Sequence, residues 1–293
     1  MSSKFIAGLI QPNAGSDMTA NIAFVAEQAR RARDKGAAFI LTPENTSLMD
    51  WGRKNLIAKS FDEATHPALA AFRALARELE VWFLIGSLHV RPDGWSEQND
   101  RIANRSYLID AAGTLKARYD KIHMFDVDLK GGESYRESST FRPGERAVVE
   151  PTPWGQLGMT ICYDLRFPYL YRSLAQSGAA MLSIPAAFTR QTGQAHWHVL
   201  QRARAIETGC YVLAPAQCGE HANGRKTYGH SLVVAPWGEV LADAGTEPGF
   251  VTAEIDMAKV AEARSMVPSL KHDRDFVEPA ADLPVEGLLA DAG

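Results

Sequence analysis

The stretch Gly158-Met-Thr-Ile-Cys162-Tyr-Asp-Leu-Arg-Phe-Pro168 decides how this chain is read. A short apolar run ends in a cysteine, and a turn with helix-start signals follows at once. That pattern holds a thiol at the end of a strand, where a substrate can reach it. Two other polar residues also close apolar, strand-like runs: Glu44 in Phe39-Ile-Leu-Thr-Pro-Glu-Asn45 and Lys121 in Ala117-Arg-Tyr-Asp-Lys-Ile-His-Met124. A carboxylate, an amine and a thiol form a set for nucleophilic acyl chemistry, so the pattern predicts amide hydrolysis by a thiol.

Working outward, apolar runs predict strands over 5–10, 37–41, 81–90, 179–186, 211–216 and 250–255. Helical periodicity covers 17–35, ended by Gly36, and 67–80. It also covers the segment after Cys162, with Leu170, Leu174 and Ala175 on one face, and 196–208, ended by Gly209. Hairpins are expected at 104–119, around Ala111-Ala-Gly113, and at 230–242, around Pro236-Trp-Gly238. Residues 124–145 show little periodicity and read as a long loop, functional or disordered. Strands and helices alternate, which predicts an α/β fold with mixed sheets covered by helices, not an all-parallel barrel. No repeat or linker splits the chain: one domain is expected over 1–277, with 278–293 as a tail, mobile or packed on a partner subunit.

Composition narrows the function classes. The 293 residues are 46% hydrophobic and 23% charged, with net charge -4, which gives no support to a nucleic-acid or acidic-membrane partner. Three cysteines, Cys162, Cys210 and Cys218, are too few and too odd in number for a disulfide framework, and a reducing cytoplasm suits them. The N-terminus lacks a signal-peptide pattern, and no apolar stretch approaches the roughly 18 residues of a membrane span. Phosphate-cradling glycine motifs are missing, and so is any Cys-x-x-Cys. His123, His196, His198, His230 and His272 show no convincing metal-ligand spacing and read as structural, and a nucleotide cofactor has no support.

The chemistry requires a thiolate, fixed donors for the oxyanion and a proton for the departing amine. Glu44 is placed to take the Cys162 proton and return it to the leaving group. Lys121 and the backbone N–H of Tyr163 are placed to hold the oxyanion. Glu133 and Glu137, both in the long loop, are candidates to orient Lys121 or to assist the hydrolytic water. Each residue alone has an ordinary reading: a small buried thiol, a turn carboxylate, a solvated lysine. Arg202-Ala-Arg204-Ala-Ile-Glu207 reads as a helix with structural ion pairs, and Cys210 and Cys218 as spectators.

Three segments in this order resemble the nitrilase superfamily of carbon–nitrogen hydrolases. Thr42-Pro-Glu-Asn45 is similar to its glutamate motif, Tyr119-Asp-Lys-Ile-His123 to its lysine motif and Ile161-Cys-Tyr-Asp-Leu-Arg166 to its cysteine motif. The resemblance spans about residues 4–276. It implies a four-layer α-β-β-α sandwich when dimerised through helices, a Glu44–Lys121–Cys162 triad, and a homodimer or higher homo-oligomer. It implies no metal and no organic cofactor. It also implies a second glutamate, which aligns with Glu137, with Glu133 as the alternative.

Within the superfamily the chain is most similar to the branch containing deaminated glutathione amidase and omega-amidase. The pieces that carry this are Lys121-Ile-His-Met-Phe-Asp-Val-Asp128, Thr192-Gly-Gln-Ala-His-Trp197, Arg202-Ala-Arg-Ala-Ile-Glu207 and Tyr228-Gly-His-Ser231. Tyr163 stands where nitrilases proper usually carry tryptophan. The branch implies a small carboxylated amide as substrate and a cation to meet its carboxylate. Arg166, by analogy with related carbamoylases, and Arg190 are the candidates, with Phe188 and Thr189 lining the pocket. An equal alternative for Arg166 is a structural salt bridge with Asp164 or another acid. Alternative readings are an omega-amidase on alpha-ketoglutaramate, an N-carbamoyl amino acid or aliphatic amide hydrolase, a non-catalytic binding module, and a redox-sensing cysteine protein.

Overall fold

The apolar runs form strands whose two faces are both covered. In the strand Lys4–Gln11, Phe5, Ala7 and Leu9 face one core and Ile10 another. Phe83, Leu84 and Ile85 alternate in the same way in Trp82–Arg91. Burial on both faces removes the polar half of the usual strand alternation, which is why these runs are apolar throughout. The computed structural model describes residues 4–129, 134–222 and 224–277. The 278–293 tail and Glu133 lie outside the described residues.

Two mixed sheets result. One runs in spatial order Gly249–Asp256, Lys4–Gln11, Ala37–Leu41, Trp82–Arg91, Ala103–Ile109, Leu115–Asp120, with Phe61–Asp62 also on Trp82–Arg91. Its three central strands are parallel and the flanking pairs antiparallel. The other runs Val240–Asp243, Leu232–Val234, Tyr211–Ala214, Ala179–Ser183, Gly155–Met159, Val148–Thr152, with the same parallel centre and antiparallel margins.

Helices Met18–Asp34 and Pro67–Leu79 cover the outer face of the first sheet through Val25, Ala29, Ala32, Leu69, Phe72 and Ala76. Asp17 caps the first of them, accepting from the N–H groups of Thr19 and Ala20 at 2.9 and 3.1 Å. Phe72 stacks on Phe83 at 5.6 Å, and truncating it to alanine costs about 3–5 kcal/mol. Helices Pro168–Gln176 and Arg190–Thr208 cover the second sheet through Leu170, Tyr171, Leu174, Trp197 and Ala205. The inner faces of the two sheets meet in a shared core. The α-β-β-α sandwich is thus as expected, but one chain supplies all four layers by itself, without the dimerisation through helices that the resemblance attached to them.

Several elements differ from expectation: helices Arg53–Ala58 and Ala258–Met266 and strand Val148–Thr152 have no counterpart in the sequence reading, and two further segments differ in detail. The helix expected from residue 196 starts at Arg190. Gly193 weakens the helical pattern in its first turn, and the reason lies outside the helix: a Cβ there would stand 2.4 Å from the Tyr228 side chain. The 124–145 segment is not structureless. Asp126–Asp128 pairs with Ser134–Arg136, and a 3₁₀ turn Glu137–Ser139 follows. Strands three residues long carry too few side chains for an alternation to be legible.

Candidate active site

Glu44, Lys121 and Cys162 each lie a few residues or fewer beyond a strand: Ala37–Leu41, Leu115–Asp120 and Gly155–Met159. The turn carrying Glu44 leans on Trp82–Arg91. Gly86 donates its N–H to Thr42 Oγ1 at 3.1 Å, and Asn45 N–H donates to Ser87 Oγ at 2.9 Å. The approach is so close that a Cβ on Gly86 would stand 2.1 Å from the Thr42 carbonyl oxygen. From the other sheet, Gln217 Nε2 donates to the Glu44 and Asn45 carbonyls at 3.0 and 3.2 Å.

The Glu44 carboxylate is buried. Its Oε1 accepts from Lys121 Nζ at 3.0 Å and Asn104 Nδ2 at 2.9 Å, and its Oε2 accepts from Ala187 N–H at 2.9 Å. Burial alone would raise its pKa. The Lys121 charge and the Cys162 thiol, with Arg225 further out, outweigh that and hold it down at about 2. Lys121, 2% exposed, also donates to both oxygens of Glu137, at 2.9 and 2.8 Å. Burial would discharge this amine, but the carboxylates of Glu137 and Glu44 raise its pKa and keep it an ammonium. Glu137 is fixed in turn by Phe125 N–H, which donates to its Oε2 at 2.7 Å.

Cys162 opens the 3₁₀ turn Cys162–Arg166 with φ of 50°, a conformation that non-glycine residues adopt only when their surroundings impose it. The surroundings do so here. Cys162 N–H donates to the Pro185 carbonyl at 2.9 Å. The buried Asp164 side chain accepts from Ile161 N–H at 2.8 Å, Tyr119 OH at 2.6 Å, and the backbone and ring of His123 at 3.0 and 2.7 Å. Asp164 thereby ties the cysteine turn to the lysine segment. Arg204 closes the far end by donating to the Leu165 carbonyl at 2.9 and 2.7 Å, besides its ion pair with Glu207. Burial and the adjacent Glu44 charge raise the Cys162 pKa well above its ordinary value, against a smaller pull from Lys121. The resting cluster is therefore a neutral thiol beside an ionised carboxylate and an ammonium.

These groups floor a cavity of about 320 Å³. Tyr163, Phe188 and Thr189 are among the residues that line it. The N–H of Tyr163 has no hydrogen-bond acceptor among the described residues. Arg166 and Arg190 are not in the lining. The 3₁₀ turn carries Arg166 past the cavity, where its guanidinium covers the Phe188 ring at 5.3 Å and its Nη2 meets His196 Nδ1 at 3.2 Å. Nor does it pair with Asp164, whose oxygens are occupied as described. Arg190 begins a helix and faces a different cavity with Gln194 and Tyr228. The lining arginines are Arg53, Arg136 and Arg225, none of them singled out from sequence.

Asn104 and Asp164 were also missed, because a single buried polar residue in an apolar run carries no pattern. Cys210 and Cys218 are buried away from the cavity lining. Spacing gave no metal ligands, yet the fold brings His198, His230 and Asp243 together with ligating atoms within 4.8 Å of one another. Asp243 bridges both imidazoles by hydrogen bonds. No helix among the described residues is long and apolar enough to cross a membrane.

The family model for carbon–nitrogen hydrolases matches residues 6–265. The chain belongs to the carbon–nitrogen hydrolase family. A Yersinia enterocolitica protein named deaminated glutathione amidase is 42% identical over 273 residues, covering 91% of this chain and 92% of its own length. Among solved structures, the Caenorhabditis elegans NitFhit protein superposes with a TM-score of 0.86 at 35% identity, covering 93% of this chain and 66% of that longer protein. A variant of the amidase from Nesterenkonia sp. AN1 superposes with a TM-score of 0.75 at 26% identity, covering 88% of this chain and 92% of its own. It carries the acetamide moiety of fluoroacetamide on its active-site cysteine. The family membership makes this chain a hydrolase of non-peptide carbon–nitrogen bonds.

Proposed function

We propose that the protein is a cysteine-dependent amidase acting through a thioester, with deaminated glutathione or a close relative as its substrate. The observation that carries the mechanism is the convergence of the Glu44 and Glu137 carboxylates on Lys121 Nζ, each within 3.0 Å, beside the Cys162 turn. The bacterial relative's name supports the substrate, and the cysteine adduct of the Nesterenkonia enzyme supports the covalent step.

Glu44 takes the thiol proton as Cys162 Sγ attacks the amide carbonyl. The negative charge moves to the carbonyl oxygen, which Lys121 Nζ and the Tyr163 N–H hold. That new anion shares the Lys121 charge that depressed Glu44, so the carboxylate becomes a stronger base as the reaction proceeds. The intermediate collapses, the C–N bond breaks, and protonated Glu44 gives its proton to the departing amine. Glu44 then deprotonates a water, which attacks the thioester and expels the thiolate; the thiolate recovers the proton and the acid leaves. Glu137 holds Lys121 in place throughout.

The test is amine or ammonia release from deaminated glutathione, alpha-ketoglutaramate, an N-carbamoyl amino acid, an aliphatic amide and a nitrile. The expected result is the highest kcat/KM for deaminated glutathione and loss of turnover in Cys162→Ala. Preference for another amide replaces the substrate, and turnover by Cys162→Ala at the parent rate overturns the mechanism.

A further inference from the structure

We infer that His198, His230 and Asp243 form a binding site for a divalent transition-metal ion of the zinc class, apart from the catalytic cavity. It does not depend on the amidase chemistry. The fold brings the three residues together from helix Arg190–Thr208, the segment before strand Leu232–Val234, and the end of strand Val240–Asp243. None of them lines the catalytic cavity. His198 Nε2 meets Asp243 Oδ2 at 3.0 Å, and His230 Nδ1 meets Oδ1 at 2.9 Å and Oδ2 at 3.1 Å. All the ligating atoms lie within 4.8 Å of one another. A zinc ion with bonds of about 2.0–2.2 Å spaces tetrahedral ligands about 3.4 Å apart, so only the side-chain tips need to adjust.

The surroundings favour a metal over a carboxylate that merely accepts two hydrogen bonds. Two imidazoles and a carboxylate suit zinc and its neighbours, whereas magnesium and calcium seek oxygen. His198 Nδ1 and His230 Nε2 have no partner among the described residues. Each ring can therefore carry its proton on that nitrogen and turn a lone pair to the ion. The ligands are oriented from outside. Gly245 N–H donates to Asp243 Oδ1 at 2.9 Å, and the Tyr228 ring stacks on His230 at 4.4 Å. The His230 backbone is held at φ of 55°, its N–H on the Gly245 carbonyl at 2.6 Å and its own carbonyl accepting from Trp197 Nε1 at 2.8 Å. A left-handed φ at a non-glycine residue persists only where the surroundings fix it. The His198 and Asp243 side chains are each 34% exposed, which leaves an entry path and a face for a water ligand.

The test is equilibrium dialysis of the tag-free full chain against Zn(II), in a Cys162→Ala background so that this thiol offers no ligand. Bound metal is counted by atomic emission, and thermal unfolding is followed with and without zinc. One saturable zinc per chain and a rise in Tm are expected, both insensitive to excess Mg(II). Adding His198→Ala or Asp243→Asn should weaken binding by at least the roughly 10- to 100-fold that loss of an outer partner costs, and remove the zinc-dependent rise in Tm. His272→Ala, at an exposed position outside the cluster, should change neither. Circular dichroism of the metal-free variants checks that they fold; Asp243→Asn keeps an acceptor oxygen for an imidazole. If the background chain binds no zinc saturably, or if His198→Ala and Asp243→Asn bind it with undiminished affinity, the inference is overturned and the cluster is a hydrogen-bonded triad only.

Discussion

Replacing Glu44 by glutamine separates two properties of Cys162 that usually move together. The Glu44 charge suppresses thiolate formation, and the same carboxylate is the base the reaction needs. Unit charges about 4 Å apart at an effective dielectric near 20 interact by about 4 kcal/mol, so removing the carboxylate lifts a large penalty on the thiolate. Lys121 keeps its ammonium in the variant because Glu137 still contacts it through both oxygens. The thiol then faces a cation with no anion beside it, and its pKa falls. The expected outcome in Glu44→Gln is alkylation of Cys162 by iodoacetamide at pH 7 faster by roughly 10-fold or more. Amide turnover falls by roughly 10²- to 10⁴-fold, the usual contribution of a general base. The assay is alkylation rate against pH, read by mass spectrometry on the Cys162 peptide, with Cys210 and Cys218 as internal references. Slower alkylation than in the parent, or turnover within a few-fold of it, would refute this electrostatic account.

The remaining predictions address the scaffold. Gly86→Ala drives a Cβ into the Thr42 carbonyl and shifts the Glu44 turn. It should cost about 1–3 kcal/mol in urea melts and lower kcat more than KM rises. Asp164→Ala leaves Ile161 N–H, Tyr119 OH and His123 without their acceptor. A loss of about 3 kcal/mol or more is expected, with Cys162 labelling no longer site-selective. Acid should unfold the protein in two stages. His66 and His89 are buried and their pKa values are pushed down to about 4 from 6.5, so their contribution is complete above pH 6.5 and is lost as pH falls towards 4. Glu44, held well below an ordinary 4.5 by the Lys121 charge, contributes stability that is complete above pH 4.5 and lost as pH falls towards 2. Urea melts from pH 7 to pH 2 should show stability falling monotonically; a stability maximum near pH 5 would contradict the histidine assignment, and a flat profile below pH 4.5 the Glu44 assignment.

The strands and most helices were legible because burial on both sheet faces writes long apolar runs, and because Asp17, Gly36 and Gly209 mark helix ends. The start of the helix at Arg190 was hidden by Gly193, a residue chosen for the Tyr228 ring across the gap rather than for helix propensity. Within the site, Glu44, Lys121 and Cys162 announced themselves as polar residues closing apolar runs, and the fold gathers them around one ammonium. Arg166 was chosen by analogy with related carbamoylases, and Arg190 as a second candidate in the loop after the 179–186 run. The 3₁₀ turn and the helix start carry both away from the cavity, whereas Arg225, more than sixty residues downstream of Cys162, enters it from a hairpin margin. Long-range convergence of this kind leaves no local periodicity to read. Asp164 and Asn104 show the same limit: their importance lies in which partners the sandwich brings to them.

The central claim is that Cys162 carries the acyl group. The most direct measurement mixes the enzyme with deaminated glutathione, quenches in acid within the first turnovers, and maps the mass of the Cys162 peptide. The account predicts that this peptide gains the mass of the acyl half as a thioester, with amine released in a matching burst, and that Cys162→Ala shows neither. A Cys162 peptide of unmodified mass during turnover, together with an active Cys162→Ala enzyme, would contradict it.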